Sequence, residues 1–380
     1  MSKIYIVAAK RTPQGRFMGA LTKRSSVDLG VAAAQAALKD IGAAKIDQVI
    51  VGNVLCAGRG MNIARQIAVK AGVPIESPAF TVNMMCASGM QAIILAAGAI
   101  KSGEANVVLC GGTESMSNAP YVLERARGGY KLGDGVLLDT LLRDGLVDSF
   151  DNEHMGLLTE RMAEQYKIGR AAQDEFAAQS QSKYGGAHAK DLFANELVKL
   201  PELDKDEHPR SEATVEQLAG LKAAFKKDGT VTAGNASGIN DGAAMLVVCD
   251  EGTAAENGWK PLAEIYGWAN AGCDPKLMGL GPVYATQKLC KGLGIGIEAF
   301  DTIELNEAFA AQSLACMQEL KLDAKRVNPE GGAIAMGHPI GASGARILVH
   351  LAHRVSQGLT KNGLATLCVG GGMGSVVALR

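Results

Sequence analysis

The motif CASG at 86–89 returns as GASG at 341–344, 255 residues later, in the same local context. In the first half AFTVN (79–83) precedes the motif, an apolar helical stretch from Met90 to about Lys101 follows it, and the strand-like NVVLCGG (106–112) comes next. In the second half RVN (326–328) leads through a glycine loop into GASG, then a helical stretch from Ala345 to about Val355, then LATLCVGGG (364–372). Cys110 and Cys368 stand 258 residues apart, so two nearly equal offsets span unequal loops. Self-similarity on this scale predicts a duplicated domain.

Short β-branched strands alternating with helical stretches predict an α/β fold, a sheet covered by helices. The closing strand SVVALR (375–380) has its counterpart in AAMLVV (243–248), so the first half ends only after residue 240. The expected organisation is a first half from 1–118 plus 241–258, an inserted loop domain at 119–240, and a second half at 259–380. The insertion carries charged helical segments such as TERMAEQY and QDEFAAQSQSKYG. Over the end of a sheet it would serve as a lid or ligand-binding arm.

Composition narrows the function classes. Hydrophobic residues are 47% and charged residues 20%, which excludes global disorder. A formal net charge of −1 gives no one-signed field for nucleic acid or an anionic membrane. The eight cysteines are scattered without CxxC or metal-ligand spacing, which predicts no metal and free thiols in a reducing cytosol. MSKIYIVAAK reads as a strand rather than a targeting segment, and no apolar run reaches the roughly 20 residues of a bilayer span. A cytoplasmic protein is expected.

Four segments carry residue types suited to covalent chemistry. In NMMCASG, Cys86 sits where a strand ends and an apolar-periodic helix begins, and a helix N-terminus lowers a thiol pKa. Alone, a cysteine there is more often a small buried hydrophobe. In GGAIAMGHPIGASG (331–344) the repeat aligns Gly341 with Cys86 and His338 with Asn83, so His338 would face Cys86 across an interface between the halves. Cys368 precedes GGGMG (370–374) at a strand's C-terminal end, where backbone N–H groups can hold an oxyanion. Cys110, its counterpart, reads as structural. In ELNEAFA (304–310), Asn306 fits either a helix cap or a group that positions a water or a histidine.

NMMCASG, NEAF, GGAIAMGHPIGASG and CVGGGMG, in this order and spacing, resemble the motifs of the thiolases. The likeness extends through GGTESMSNAPY (111–121), HMG (154–156) and GTVTAGNASGINDGAA (229–244). It implies duplicated βαβαβαββ halves in five αβαβα layers with an inserted loop domain. It also implies a ping-pong, reversible Claisen condensation of two acetyl-CoA to acetoacetyl-CoA through an acyl group on Cys86. By position, His338 would activate Cys86, and Cys368 would be the acid and base of the other half-reaction. One oxyanion hole would use His338 with a water on Asn306, the other the N–H groups of Cys86 and Gly370.

For coenzyme A, a substrate and not a resident cofactor, the resemblance points to Ser237 at the pantetheine arm and Lys222 near the nucleotide phosphates. His154, Met155, Met278 and Phe309 would wall a narrow acyl pocket, as in the short-chain acetoacetyl-CoA branch. YVLERARGGYKLGD (121–134), with Arg125, Arg127 and Lys131, resembles a basic tetramerisation loop and implies a homotetramer. Two departures fall in the coenzyme-binding arm: a short LPELDKDEHPRSEATVEQ (200–217), and TERMAEQY for a TAEN-like run. They leave open a 3-ketoacyl-CoA thiolase of broader chain length. Decarboxylating ketoacyl synthases and hydroxymethylglutaryl-CoA synthases share the duplicated fold, but present histidine or asparagine where this chain has Cys368. A carrier without turnover would lack Cys86, His338 or Cys368.

Overall fold

A computed structural model describes residues 2–380. The first half runs β1 (Ile4–Arg11), α1 (Ser26–Leu38), β2 (Gln48–Gly52), α2 (Ile63–Lys70), β3 (Ala79–Val82), α3 (Ser88–Ser102) and β4 (Val107–Ser115). The insertion follows, with α4 (Met155–Gln165) and α5 (Arg170–Ala189), and β5 (Asn240–Asp250) then closes the half. The second half runs β6 (Ala263–Gly272), α6 (Gly281–Leu293), β7 (Thr302–Leu305), α7 (Ala310–Leu320), α8 (Ser343–Ser356), β8 (Gly363–Val369) and β9 (Met373–Leu379).

The pairings repeat strand for strand. β2 lies parallel between β3 and β4, while β4–β5 and β5–β1 are antiparallel. In the second half β7–β8 is parallel, and β8–β9 and β9–β6 are antiparallel. The segment 326–328, which the repeat sets against β3, keeps a single parallel bridge between Val327 and Ile303. Asn328 is the cause. Its φ is 43°, and its amide takes both backbone groups of Leu305, accepting from the N–H at 2.9 Å and donating to the carbonyl at 2.8 Å. β1 and β6 pair at two positions and join the halves along one edge.

Alternate strand residues face opposite sides, as the strand period of two requires. Ile50, Val108, Leu246, Leu367 and Val377 turn to a central cluster with α3 and α8. Val49, Leu109 and Val247 turn to α1 and α2. Ile303, Leu364 and Val376 pack on α6 and α7. Helix, sheet, helix, sheet, helix is the resulting order. Met85–Ser102 has a mean hydropathy of 1.3 over 18 residues and is long and apolar enough to cross a membrane by length and composition, nearer to a span than the sequence reading allowed. Its apolarity follows from packing between two sheets. The recurring glycine of the repeat lets α3 and α8 meet there: a Cβ on Gly89 would lie 3.0 Å from Ala345 N, and one on Gly344 2.7 Å from Met90 Cβ.

A buried ionic cluster ties the insertion to both halves. Arg11 on β1 donates to Glu196 at 2.6 Å and to Asp206 at 2.7 and 3.1 Å, and Tyr184 OH adds a bond to Asp206 at 3.1 Å. His350 on α8 lies between Glu196 at 2.9 Å and Glu330 at 3.3 Å, and Arg354 also pairs with Glu330. Glu304, Glu330 and His350 are close enough to be read as metal ligands. Burial opposes charge on His350, but Glu196 and Glu330 outweigh it and push its pKa from 6.5 up to about 10. A protonated imidazole has no lone pair to give a metal, and Arg346 and Arg354 already supply countercharge.

Since this pKa is raised on folding, its stabilisation is full below about pH 6.5 and disappears as pH rises through about 10. Urea melts should show wild type losing about 2–4 kcal/mol more than His350→Gln between pH 7 and 10. Parallel losses in the two proteins would contradict a charged His350.

Candidate active site

β3 ends at Val82, and the next residues form a tight turn before α3. Asn83 Oδ1 accepts from Met85 N at 3.0 Å, Met85 takes φ 47°, and the Ser88 hydroxyl accepts from Met84 N at 2.9 Å while donating to Met85 O at 2.6 Å. These bonds hold Cys86 half-buried just ahead of the helix. The backbone N–H of Gly370 is directed at its sulfur. The expectation of a lowered thiol pKa is overturned: burial pushes Cys86 up to about 11, more than the N–H groups of Gly370 and Cys86 offset. At neutral pH the sulfur is a protonated thiol that needs a base.

His338 follows Gly337, whose φ of 108° turns the chain so that His338 N donates to Asn240 Oδ1 at 2.9 Å. Its Nδ1 lies 2.5 Å from Ser343 Oγ, and the same hydroxyl donates to Pro339 O at 2.9 Å. With the serine hydrogen committed to a carbonyl, Nδ1 carries the imidazole hydrogen and Nε2 keeps its lone pair. Burial, then Arg346, push the His338 pKa down to about 3, so the ring is neutral.

Cys368 lies at the end of β8 with 2% exposure, and burial, then the neighbouring Cys86, push its thiol well up. Cys86, His338, Cys368 and Gly370 converge on one cavity of about 400 Å³. Ser237, His154, Met155, Met278 and Phe309 line it as well. His154 accepts from Gly156 N through Nδ1 at 3.0 Å and stacks on Phe225 at 4.6 Å, leaving Nε2–H as its free donor. Two expected residues do not line the cavity. Lys222 is exposed on the surface beyond it. Asn306 is fully buried: its Oδ1 accepts from Arg346 at 3.5 Å, and its Nδ2 has no partner among the described residues. Asn306 caps no helix, since α7 starts only at Ala310. Cys110 is fully buried in the central core, away from the cavity.

The family model "Thiolase, N-terminal domain" matches residues 4–252, and "Thiolase, C-terminal domain" matches 259–380. The chain belongs to the thiolase family. It is 48% identical to an acetyl-CoA acetyltransferase of Pseudomonas aeruginosa, over 100% of this chain and 99% of that protein. The crystal structure of the Bacillus anthracis acetyl-CoA acetyltransferase matches with a TM-score of 0.97 and 43% identity, over 100% of this chain and 98% of that one. Human mitochondrial 3-ketoacyl-CoA thiolase in complex with CoA matches with a TM-score of 0.97 and 42% identity, with the same coverage.

Three residues of this thiolase escaped the sequence reading. Glu114, in GGTESMS, is fully buried and accepts from Asn53 Nδ2 at 2.8 Å, Val54 N at 3.0 Å, Leu55 N at 3.2 Å and Gly341 N at 3.0 Å. It clamps the two halves beside the thiols. A Cβ at 341 would lie 2.6 Å from its carboxylate, so the counterpart of Cys86 is held to glycine and the repeat carries one such cysteine. His208 and Arg210 also line the cavity. They sit in the segment read as a departure from the family pattern, and no local periodicity marks them.

Proposed function

We propose that this thiolase is an acetyl-CoA C-acetyltransferase, catalysing the reversible Claisen condensation of two acetyl-CoA to acetoacetyl-CoA and coenzyme A. The observation that carries the proposal is the meeting of two thiols, Cys86 and Cys368, and a neutral imidazole, His338, on one cavity wall. His338 Nε2 takes the Cys86 proton as the sulfur attacks the first thioester, and the N–H groups of Cys86 and Gly370 receive the developing oxyanion. Coenzyme A leaves with a proton from Cys368. The Cys368 thiolate then removes a proton from C2 of the second acetyl-CoA, a step suited to a strongly basic sulfur. The carbanion attacks the acyl group, and the proton held on His338 returns to Cys86. Protons balance over the cycle. His338 and a water on the unpartnered Nδ2 of Asn306 would stabilise the enolate.

Met155, Met278 and Phe309 narrow the acyl end, which favours a short acyl group, and Ser237 is read as a pantetheine contact. Lys222, although on the surface, is kept as a candidate for the coenzyme phosphates. The hairpin of Tyr121–Leu123 and Leu137–Asp139 supports the homotetramer reading: Leu132 is 99% exposed and Val136 and Leu137 are largely so, which suits burial against another copy more than a solvated basic loop. A cytoplasmic enzyme without a resident cofactor fits these features.

One observation favours the second reading, a thiolase for longer acyl chains. An open cleft of about 510 Å³ shares Met85, Gly145, Met155 and Gly370 with the catalytic cavity and offers room beyond the thioether side chains. For the purified protein with free coenzyme A, kcat/KM in thiolysis is expected to be about tenfold or more higher for acetoacetyl-CoA than for 3-ketooctanoyl-CoA. A ratio at or below one moves the assignment to the longer-chain reading. Binding without turnover would favour a carrier.

A further inference from the structure

The segment Asp206–Arg210 is fastened at both ends. Asp206 is held by Arg11, by Tyr184 and by the backbone N–H of Gln14 at 2.8 Å. Glu207 donates its own N–H to Gln14 O at 2.9 Å, and its carboxylate accepts from Arg16 N at 2.9 Å and Ala20 N at 3.1 Å. At the other end Arg210 N donates to Gln181 Oε1 at 2.7 Å. His208 and Pro209 lie between these anchors, so the chain there is a short strap with little slack.

The strap presents two uncommitted side chains. Neither His208 nor Arg210 makes a side-chain hydrogen bond or ion pair among the described residues, and the acids on the strap itself, Asp206 and Glu207, are engaged elsewhere. The His208 ring approaches the backbone beside Ser237: a Cβ on Gly238 would sit 2.3 Å from its Cε1 and 2.8 Å from its Nδ1. The glycine of NASGIND is thus required by the approach of this ring. Burial, then Arg210 and Arg16, push the His208 pKa down to about 4, so the ring is neutral near pH 7 and offers one N–H and one lone pair. That pair of functions matches the donor and acceptor of a neutral amide. Arg210 lies further out. It lines the catalytic cavity and also a surface pocket of about 490 Å³ that includes Ser211, Glu212, Gln217, Leu218 and Leu221, and Glu212 forms no ion pair with it. A guanidinium without an acidic partner at the mouth of a cavity suits an anionic group.

We infer that the strap reads the coenzyme arm at two points, His208 against an amide of the uncharged pantetheine stretch and Arg210 against the phosphates beyond it. This rests on the reading of coenzyme A as substrate. The buried Arg11–Asp206 pair is then the rigid support of the binding element, and the short 200–217 segment is not a loss of coenzyme binding.

Thiolysis of acetoacetyl-CoA by coenzyme A and of acetoacetyl-pantetheine by pantetheine tests the two contacts separately. Arg210→Ala is expected to lower kcat/KM about five- to tenfold with the coenzyme A pair and to leave the pantetheine pair unchanged. His208→Ala should raise KM about five- to tenfold with both pairs at constant kcat, and His208→Gln, which keeps a neutral donor and acceptor, should recover most of the loss. Equal losses on both pairs in Arg210→Ala, a fall in kcat alone in His208→Ala, or a phosphate-dependent loss in Lys222→Ala but not in Arg210→Ala would each overturn the inference. If the unmodified protein turned over neither pair, the function would fail first. Calorimetric binding of coenzyme A and of pantetheine alone would then still read the strap, with Arg210→Ala expected to weaken only the former.

Discussion

Cys86→Ser is expected to lower thiolysis of acetoacetyl-CoA by about three orders of magnitude or more, with the fold intact. The size of the loss follows from the proton ledger of the site. Cys86 is a thiol with its pKa near 11, and the base that faces the cavity, His338, has its pKa near 3. Proton transfer between them is uphill at rest and succeeds only as the sulfur bonds to carbon. A serine hydroxyl is a far weaker acid and a poorer nucleophile, so the same imidazole cannot activate it. Circular dichroism and a thermal melt establish that the variant is folded, and steady-state thiolysis reads the effect. Turnover within tenfold of wild type would remove Cys86 from the mechanism.

The second large effect separates the half-reactions. Cys368→Ser should reduce overall turnover by about three orders of magnitude, within the range of general acid–base contributions, while Cys86 still becomes acetylated, more slowly because the leaving coenzyme A then takes its proton from water. Incubation with acetyl-CoA and intact-mass analysis detects the acetyl adduct on the protein. In deuterium oxide, wild type should exchange the C2 protons of acetyl-CoA, and Cys368→Ser should not. The physical basis is the burial of Cys368, which makes its thiolate basic enough to remove a carbon-bound proton that a serine cannot remove. Retained exchange in the variant would assign the proton transfer to another group.

Local pattern carried much of the architecture. The recurrence of CASG as GASG 255 residues later reflects one requirement met twice, a glycine that lets α3 and α8 touch between two sheets. Strand alternation and the apolar stretch after Met90 follow from what each half buries. The same repeat pointed to His338, and Cys368 stood out at the end of its strand. RVN, set against β3 by the repeat, does not reveal in its own residues that Asn328 bonds back to Leu305.

The sequence by itself determined the duplicated α/β plan, the insertion within its first half and the cysteines and histidine of the cavity, because each is written in contiguous residues. The tertiary structure alone decided their protonation. Burial raises the Cys86 pKa further above neutral, to about 11, and His338 keeps Nε2 free because Ser343 and Pro339 fix its hydrogen. It also decided the supports: Glu114 reaches Gly341 across the halves, and Arg11 fastens Asp206 and with it His208 and Arg210. Such roles depend on burial and on partners up to 227 residues away in sequence, and no local pattern encodes either.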